Sequence, residues 1–241
     1  MSRAVLTLLV AGALTVLVSA CGGGKDKSSS GKQSSTSTVV TAGESIPAGC
    51  KRVQDPGDRS AEAHQKRPSG RITSSTATVA MQTNCGAFTI TLAVKDAPKT
   101  SASFATLVKR RFYDGLTIHR VSADPARGPF VIQGGDPLGN GLGGPGYSVR
   151  EKPPADLKYT KYTVAMAKTQ SEPAGTSGSQ FFVVTAADAG LPADYALVGE
   201  VTDGKDAVDR IAKVPANGNE EPIIPIVISK ATLAGTLSSG S

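Results

Sequence analysis

Two short stretches of strict alternation joined by a tight turn constrain this chain more than any other feature. Ala77-Thr-Val-Ala-Met-Gln-Thr83 and Phe88-Thr-Ile-Thr-Leu-Ala-Val94 each alternate apolar and polar residues, the pattern of a strand with one buried face. Asn84-Cys-Gly86 between them reads as a hairpin turn. Further strand candidates follow at residues 116–121, 129–134, 162–168, 180–185, 196–201 and 223–233. Only two segments carry a helical signal. Asp96 and Pro98 open the first, with Phe104, Leu107 and Val108 on one face and Lys109-Arg-Arg111 at its end. The second covers residues 204–214, with Ala207, Val208 and Ile211 inward. Eight strands and two well-separated helices predict a mainly β fold, a closed eight-stranded antiparallel β-barrel capped by two α-helices. A split α+β sandwich is the alternative. Residues 137–160, rich in Gly and Pro and including Gly143-Gly-Pro-Gly146, are expected to lack regular structure; loops of that length are usually functional or mobile.

The ends of the chain read differently. Met1-Ser-Arg3 precedes an apolar run at residues 4–18, shorter than the ~20 residues of a membrane span. The run ends in Val18-Ser-Ala-Cys21, the layout of a secretory signal, and resembles a bacterial lipobox in which Cys21 is lipidated and becomes the mature N-terminus. An ordinary signal peptide or an uncleaved anchor is the competing reading. Residues 1–20 are therefore expected to be a lipoprotein signal peptide, and 21–42 a lipid-anchored tether. Residues 43–70 form an irregular lead-in, 71–235 the folded domain, and 236–241 a disordered tail. The twenty residues 22–41, rich in Ser, Thr, Gly and Lys, would span roughly 25 Å as a flexible coil. The expected location is the outer face of the bacterial cytoplasmic membrane.

Export decides how the remaining cysteines are read. In an oxidising compartment the pair Cys50 and Cys85 reads as a disulfide fastening the lead-in to an early strand, with two separate thiols as the alternative. No CxxC or Cys/His ligand spacing occurs, so neither a metal nor a thioredoxin chemistry is expected. The formal charge of +6 does not build a nucleic-acid patch. Residues 22–71 hold nine Lys/Arg against five Asp/Glu, while residues 72–241 hold sixteen against fifteen. The basic excess sits in the tether and lead-in, where it favours an anionic membrane surface over nucleic acid.

Chemistry concentrates in three runs: Ile118-His-Arg120, Phe130-Val-Ile-Gln-Gly-Gly-Asp136 and Gly178-Ser-Gln-Phe-Phe182. They gather a cation, two amides and several aromatics. Alternation puts Ile118 and Arg120 on one side of a strand and His119 on the other. Phe130, Ile132 and Gly134 share one face, and Val131 and Gln133 the other. Gln180 and Phe182 share a face, with Phe181 opposite. One set fills the barrel while the other lines an outer groove; bringing Phe130 and Gln133 to one site then requires a bulge, twist or strand end. Phe112 and Phe181 are assigned to the core, Gly134-Gly-Asp136 to a turn with a capping carboxylate, and His119 to a structural hydrogen-bonding role. A hydrolase is disfavoured: only His64 and His119 are available, and Ser179 lacks the Gly-x-Ser-x-Gly elbow.

With Phe112-Tyr-Asp-Gly-Leu-Thr-Ile-His-Arg-Val121, Gly143–Tyr147 and Val164-Ala-Met-Ala167 added, five ordered segments resemble successive signatures of the cyclophilins, from about Thr76 to Leu233. These are peptidyl-prolyl cis–trans isomerases built on an eight-stranded barrel with two helices. The resemblance implies that Arg120 is the catalytic arginine, with Phe130 and Gln133 as its catalytic partners. Val131, Ala167, Lys168, Gln180, Phe182, Leu191 and Tyr195 would contact substrate. It implies proline-containing polypeptides as partners, no cofactor, and a monomer. Three departures stand out. Nine residues separate Arg120 from Phe130 where the family usually has four, so residues 122–129 form an enlarged loop. Lys168 replaces a usual Asn, and Gly190 stands where many members carry a Trp that helps bind cyclosporin. A peptide-binding scaffold without turnover is the rival reading on the same fold.

Overall fold

In the computed structural model, which describes residues 45–238 apart from 125 and 127, the alternating pair forms the expected hairpin. Strands β1 (Thr78–Thr83) and β2 (Gly86–Leu92) pair antiparallel from Thr78↔Thr91 to Thr83↔Gly86, leaving Asn84 and Cys85 as a two-residue turn. Val79, Met81, Phe88, Ile90 and Leu92 are buried, as the period-two pattern requires. Six more strands complete the sheet: β3 (Thr117–Asp124), β4 (Gly128–Asp136), β6 (Thr163–Met166), β8 (Phe181–Val184), β9 (Leu197–Asp203) and β10 (Ile228–Ala234). Their order is β10-β1-β2-β9-β6-β8-β4-β3, with every pairing antiparallel. The sheet curls until β3 meets the chain entering β10. That seam is one bridge, Thr117↔Val227, flanked by Ile118 N–H to Ile226 O (2.8 Å) and Ile228 N–H to Leu116 O (2.8 Å). Closure is thus a short stitch rather than a full ladder, and Pro222 and Pro225, which lack an N–H, lie in the segment that makes it.

Helix α1 (Pro98–Lys109) buries Phe104, Leu107 and Val108, as expected. Its first turn has no side-chain cap of its own; the Glu151 carboxylate accepts from Lys99 N–H (3.2 Å) and Thr100 N–H (2.8 Å), satisfying two orphan donors at the positive end of the helix. Helix α2 (Lys205–Ile211) buries Ala207, Val208 and Ile211. Between sheet and helices lies the main core, where Phe104 meets Phe181 edge-on (5.7 Å) and Tyr113 at 5.0 Å, and where Phe112 is buried as assigned.

The segment 137–160 departs from expectation, because it is not structureless. Val149–Arg150 (β5) pairs with Thr176–Ser177 (β7) in a small second sheet, and Tyr159 is fully buried. The lead-in is irregular except for a 3₁₀ turn at Ser60–Ala63, and the Cys50–Cys85 disulfide fastens it to the β1–β2 turn. Gln65 N–H donates to Pro145 O and Arg59 N–H to Pro137 O, so the lead-in braces the Gly-rich loop. Cys21, the signal and the tether lie outside the described residues, as do residues 239–241; the first half of the expected tail is instead tied down, with Leu237 bridged to Ile72 and Ser238 N–H donating to Arg71 O (2.9 Å).

Candidate active site

Strands β3 and β4 carry the site, and their pairing is irregular in three places. Thr117 pairs with Asp136 and Ile118 with Gly134, skipping Gly135; Arg120 then pairs with Gln133, skipping His119. Ser122 pairs with Val131 and Ala123 with Pro129, skipping Phe130. Each skipped residue is a bulge, and each reverses the faces beyond it. Ile118 therefore points into the main core while Arg120 emerges on the opposite face beside Gln133. This corrects the simple alternation, which put Ile118 and Arg120 together.

Bulging at Phe130 has the same effect. Phe130 and Val131, neighbours in sequence, both pack on an outer apolar cluster with Phe182, Leu191 and Tyr195. Tyr159, Ala165 and Val184 form its floor, and Ala167 lies at its edge. Phe182 meets Tyr195 edge-on at 5.4 Å, and Tyr195 meets Tyr159 at 5.9 Å. The Tyr159 hydroxyl donates to Tyr195 O (2.5 Å) and accepts from Tyr195 N–H (3.0 Å). Burial pushes its pKa up to about 12, so it remains a neutral fastener. Tyr159 was not found from sequence, since it sits in a stretch with no periodicity.

A polar chain runs alongside this cluster. Arg120 Nη1 donates to Gln133 Oε1 (3.0 Å), Gln133 Nε2 to Gln180 Oε1 (2.9 Å), and Gln180 Nε2 to the carbonyls of Gly141 (2.9 Å) and Gly143 (2.8 Å). At the other end Arg120 Nε donates to Glu220 Oε2 (2.5 Å), a partner absent from the sequence reading because it lies a hundred residues away in an irregular turn. The loop geometry behind Gln180 rests on Asp136, a buried carboxylate that accepts from the N–H groups of Leu138, Asn140 and Gly141; the capping role is as expected, but Gly134 and Gly135 belong to strand β4 rather than to a turn. Gly135 has φ +85, and a Cβ there would lie 2.6 Å from Ser179 O.

Lys168 is placed differently from a groove-facing contact. Its side chain is only 5% exposed, with Nζ 3.0 Å from Asp194 and 3.2 Å from Glu172 O, and 5.4 Å from the centre of the Tyr195 ring. It secures the residues behind Tyr195. It also lines, with Ala167, Gln133 and Gln180, a cavity of about 310 Å³ beside the Gly-rich loop.

The enlarged segment 122–129 is mostly strand, an outward extension of the β3–β4 hairpin. With Ala186–Ala189 and Glu220 it walls a cavity of about 680 Å³ onto which both Arg120 and Phe130 open. Gly190 has φ +63 and no atom within 4 Å of a built Cβ, leaving that edge of the outer cluster low. His119 departs from its assignment: both ring nitrogens are buried and have no hydrogen-bond partner among the described residues. Burial lowers its pKa, partly countered by Asp136 and reinforced by Arg120. Ser179 is buried and donates to Gly135 O (2.7 Å), so it is no nucleophile.

The site thus sets a cation anchored among amides next to an apolar cluster, on the surface of the sheet opposite the main core. Comparison with known proteins gives that surface its family. The model of the cyclophilin-type peptidyl-prolyl cis–trans isomerase family matches residues 78–233. Peptidyl-prolyl cis–trans isomerase A of Mycobacterium tuberculosis is 36% identical over 177 residues, covering 66% of this chain and 93% of that protein. The human peptidyl-prolyl cis–trans isomerase-like 1 is 36% identical over 161 residues, covering 65% and 92%. A cyclophilin-type isomerase of Cryptosporidium parvum, solved in the presence of the dipeptide Ala-Pro, superposes with a TM-score of 0.59 at 28% identity, covering 66% of this chain and 99% of that one. The chain belongs to the cyclophilin-type peptidyl-prolyl cis–trans isomerases.

Proposed function

We propose that this protein accelerates X–Pro rotation in exported or envelope proteins, with Arg120 stabilising the twisted amide. The amide's partial double bond sets a barrier of ~18–20 kcal/mol. Twisting it removes resonance and returns a lone pair to the prolyl nitrogen. A guanidinium aimed at that nitrogen favours the twisted state over either planar one, which is what lowers the barrier. Arg stays charged at ordinary pH and donates from a fixed fork. Phe130, Phe182 and Leu191 would hold the proline ring, while Gln133 and the backbone at Ala167 and Lys168 would hold the adjoining peptide groups. The observation that carries this reading is the Arg120–Gln133–Gln180 chain alongside the outer apolar cluster. In a chymotrypsin-coupled assay on a proline tetrapeptide, Arg120→Ala should lower kcat/KM about 10²-fold, the usual cost of removing one such donor. Equal rates for the two proteins would refute the role of Arg120.

The rival reading, a proline-peptide-binding scaffold, draws on the enlarged 122–129 hairpin and on the engagement of Arg120 by Glu220. NMR exchange spectra decide: binding of a proline peptide without cis–trans exchange cross-peaks would select the scaffold. Lipid anchoring through Cys21 at the outer face of the cytoplasmic membrane is part of the proposal. Among the described residues no helix is long and apolar enough to cross a membrane. Metabolic palmitate labelling that survives Cys21→Ala would sink the lipid anchor.

A further inference from the structure

Glu220 occupies an unusual position. Its backbone lies in the left-handed region at φ 64, uncommon for any residue but glycine. The turn around it is heavily tied. Glu220 N–H donates to Asn217 O (2.9 Å), and the Asn217 side chain accepts from Asn219 N–H (2.9 Å) and Glu221 N–H (3.0 Å). Ala216 and Pro222 form a bridge across its base. Glu220 O in turn accepts Val121 N–H (2.8 Å), which docks the turn against β3 one residue past Arg120. A strained conformation held by several independent bonds is characteristic of a functional constraint.

The side chain explains what the strain holds in place. Oε2 takes the Arg120 Nε–H, and Oε1 takes the hydroxyl of Ser122, the next residue along β3 on the same face. Arg120 has five N–H donors. Glu220 takes the one on Nε, Gln133 takes one on Nη1, and Ser122 lies 3.4 Å from Nη2. One hydrogen on each of Nη1 and Nη2 is thereby left over. Fixing Nε and one Nη1 hydrogen locks the plane of the guanidinium and so the directions of its remaining hydrogens. Burial disfavours charge on Glu220, but the Ser122 and Arg120 hydrogen bonds outweigh it and hold its carboxyl below the usual carboxylate value.

We infer that Glu220 is a positioning residue for the isomerase reaction, orienting the Arg120 fork toward the prolyl nitrogen through Nε. The inference rests on the reading of Arg120 as the group that stabilises the twisted amide. It opposes the alternative in which the carboxylate merely sequesters or neutralises the cation.

The test uses the full chain, a proline peptide at varied concentration, and both protease-coupled and NMR-exchange readouts. Glu220→Ala should lower kcat about tenfold with little change in KM, since orientation matters only in the transition state. The loss is smaller than the hundredfold cost of a 1 Å misplacement, because Gln133 still holds Nη1. Glu220→Gln, which keeps an acceptor for Nε–H, should stay within about threefold of the parent, since one hydrogen bond to a neutral oxygen replaces one to a charged oxygen. Glu220→Gly removes the side chain while relaxing the left-handed backbone, so an equal loss of kcat in that variant excludes misfolding. In an Arg120→Ala background, Glu220→Ala should cause no further loss. Faster turnover in Glu220→Ala and Glu220→Gln would show a damping carboxylate and overturn the proposal. So would an undiminished kcat, or a loss that persists without Arg120. If the parent chain has no isomerase activity at all, the catalytic reading fails first, and that outcome is distinct from all of these.

Discussion

Breaking the Cys50–Cys85 bridge should separate the stability of this fold from its chemistry. The disulfide joins residues 35 apart in sequence. By loop-closure entropy a bridge of that span destabilises the unfolded chain by about 4 kcal/mol at 25 °C. Both cysteines are buried, so Cys50→Ala/Cys85→Ala is the appropriate double variant. The lead-in keeps other anchors: Lys51 N–H to Asn84 O (2.8 Å), Asn84 Nδ2 to Lys51 O (2.6 Å), and the bonds from Arg59 and Gln65 to the Gly-rich loop. Asn84 also holds Pro225 O and Val227 N–H, and Arg210 holds Cys85 O, so the turn stays tied to the segment entering β10 and to α2 without the bridge. Folding should survive, therefore, with a lower free energy of unfolding. For a domain of this size, 4 kcal/mol corresponds to roughly 8–16 °C in Tm. Urea melts of the double variant, and of the parent chain in reductant, should agree with one another and fall short of the oxidised parent by about 3–4 kcal/mol. Isomerase activity in native buffer should change less than about threefold, because no disulfide contact reaches Arg120 and a threefold change is only ~0.7 kcal/mol. A loss below about 1 kcal/mol, within the scatter of ordinary substitutions, would refute the entropic argument.

Three further outcomes are expected. Gln180→Ala cuts the link between Gln133 and the carbonyls of Gly141 and Gly143; steady-state kinetics should show kcat/KM about tenfold lower, the effect of one lost positioning contact, with little change in Tm. Lys168→Met removes the partner of Asp194 and of two loop carbonyls that stay partly in water, so thermal melts should show a loss of about 1 kcal/mol, and KM should rise more than kcat falls because the loop behind Tyr195 loosens. His119 titrates below its unfolded value of about 6.5; the unfolded state therefore binds the extra proton, and stability should fall as pH drops through 6.5 toward the folded value. His119→Phe should flatten that part of the urea-stability profile, and an unchanged slope would assign the proton elsewhere.

Much of the fold was legible because it is local. All eight strands of the main sheet fall on segments expected to be strands, β1 and β2 by strict alternation, and the apolar stripes Phe104/Leu107/Val108 and Ala207/Val208/Ile211 located both helices. The last strand shows the limit: residues 223–227 read as a continuous apolar run leading into a strand, yet Pro225 and the turn of the sheet make them the closing seam instead. The small β5–β7 sheet was invisible because two-residue strands carry no periodicity. At the site, residue types and order pointed to Arg120, Phe130, Gln133, Gln180, Phe182 and Tyr195, and the structure gathers these on one outer face. Glu220 and Tyr159 were missed because each reaches the site from an aperiodic stretch, Glu220 a hundred residues from Arg120. Lys168 was recognised as a departure, but only its packing beneath Tyr195 shows that its side chain is tied down behind the groove.

The decisive non-local feature is the set of bulges on β3 and β4. Period-two geometry alone would put Arg120 on the face of Ile118, inside the core, and Phe130 on the face of Ile132. Skipping His119 turns Arg120 outward to Gln133, and skipping Phe130 lets that ring join Val131 on the outer cluster. The same geometry explains why a longer β3–β4 connection need not dismantle the site. Pairing resumes beyond Phe130 with Ala123↔Pro129 and Asp124↔Gly128. Part of the added length is thus absorbed as ladder distal to the bulge, while Arg120↔Gln133 is set on its proximal side. The extension changes the wall of the cavity onto which Arg120 and Phe130 open. It leaves the two residues on the same face.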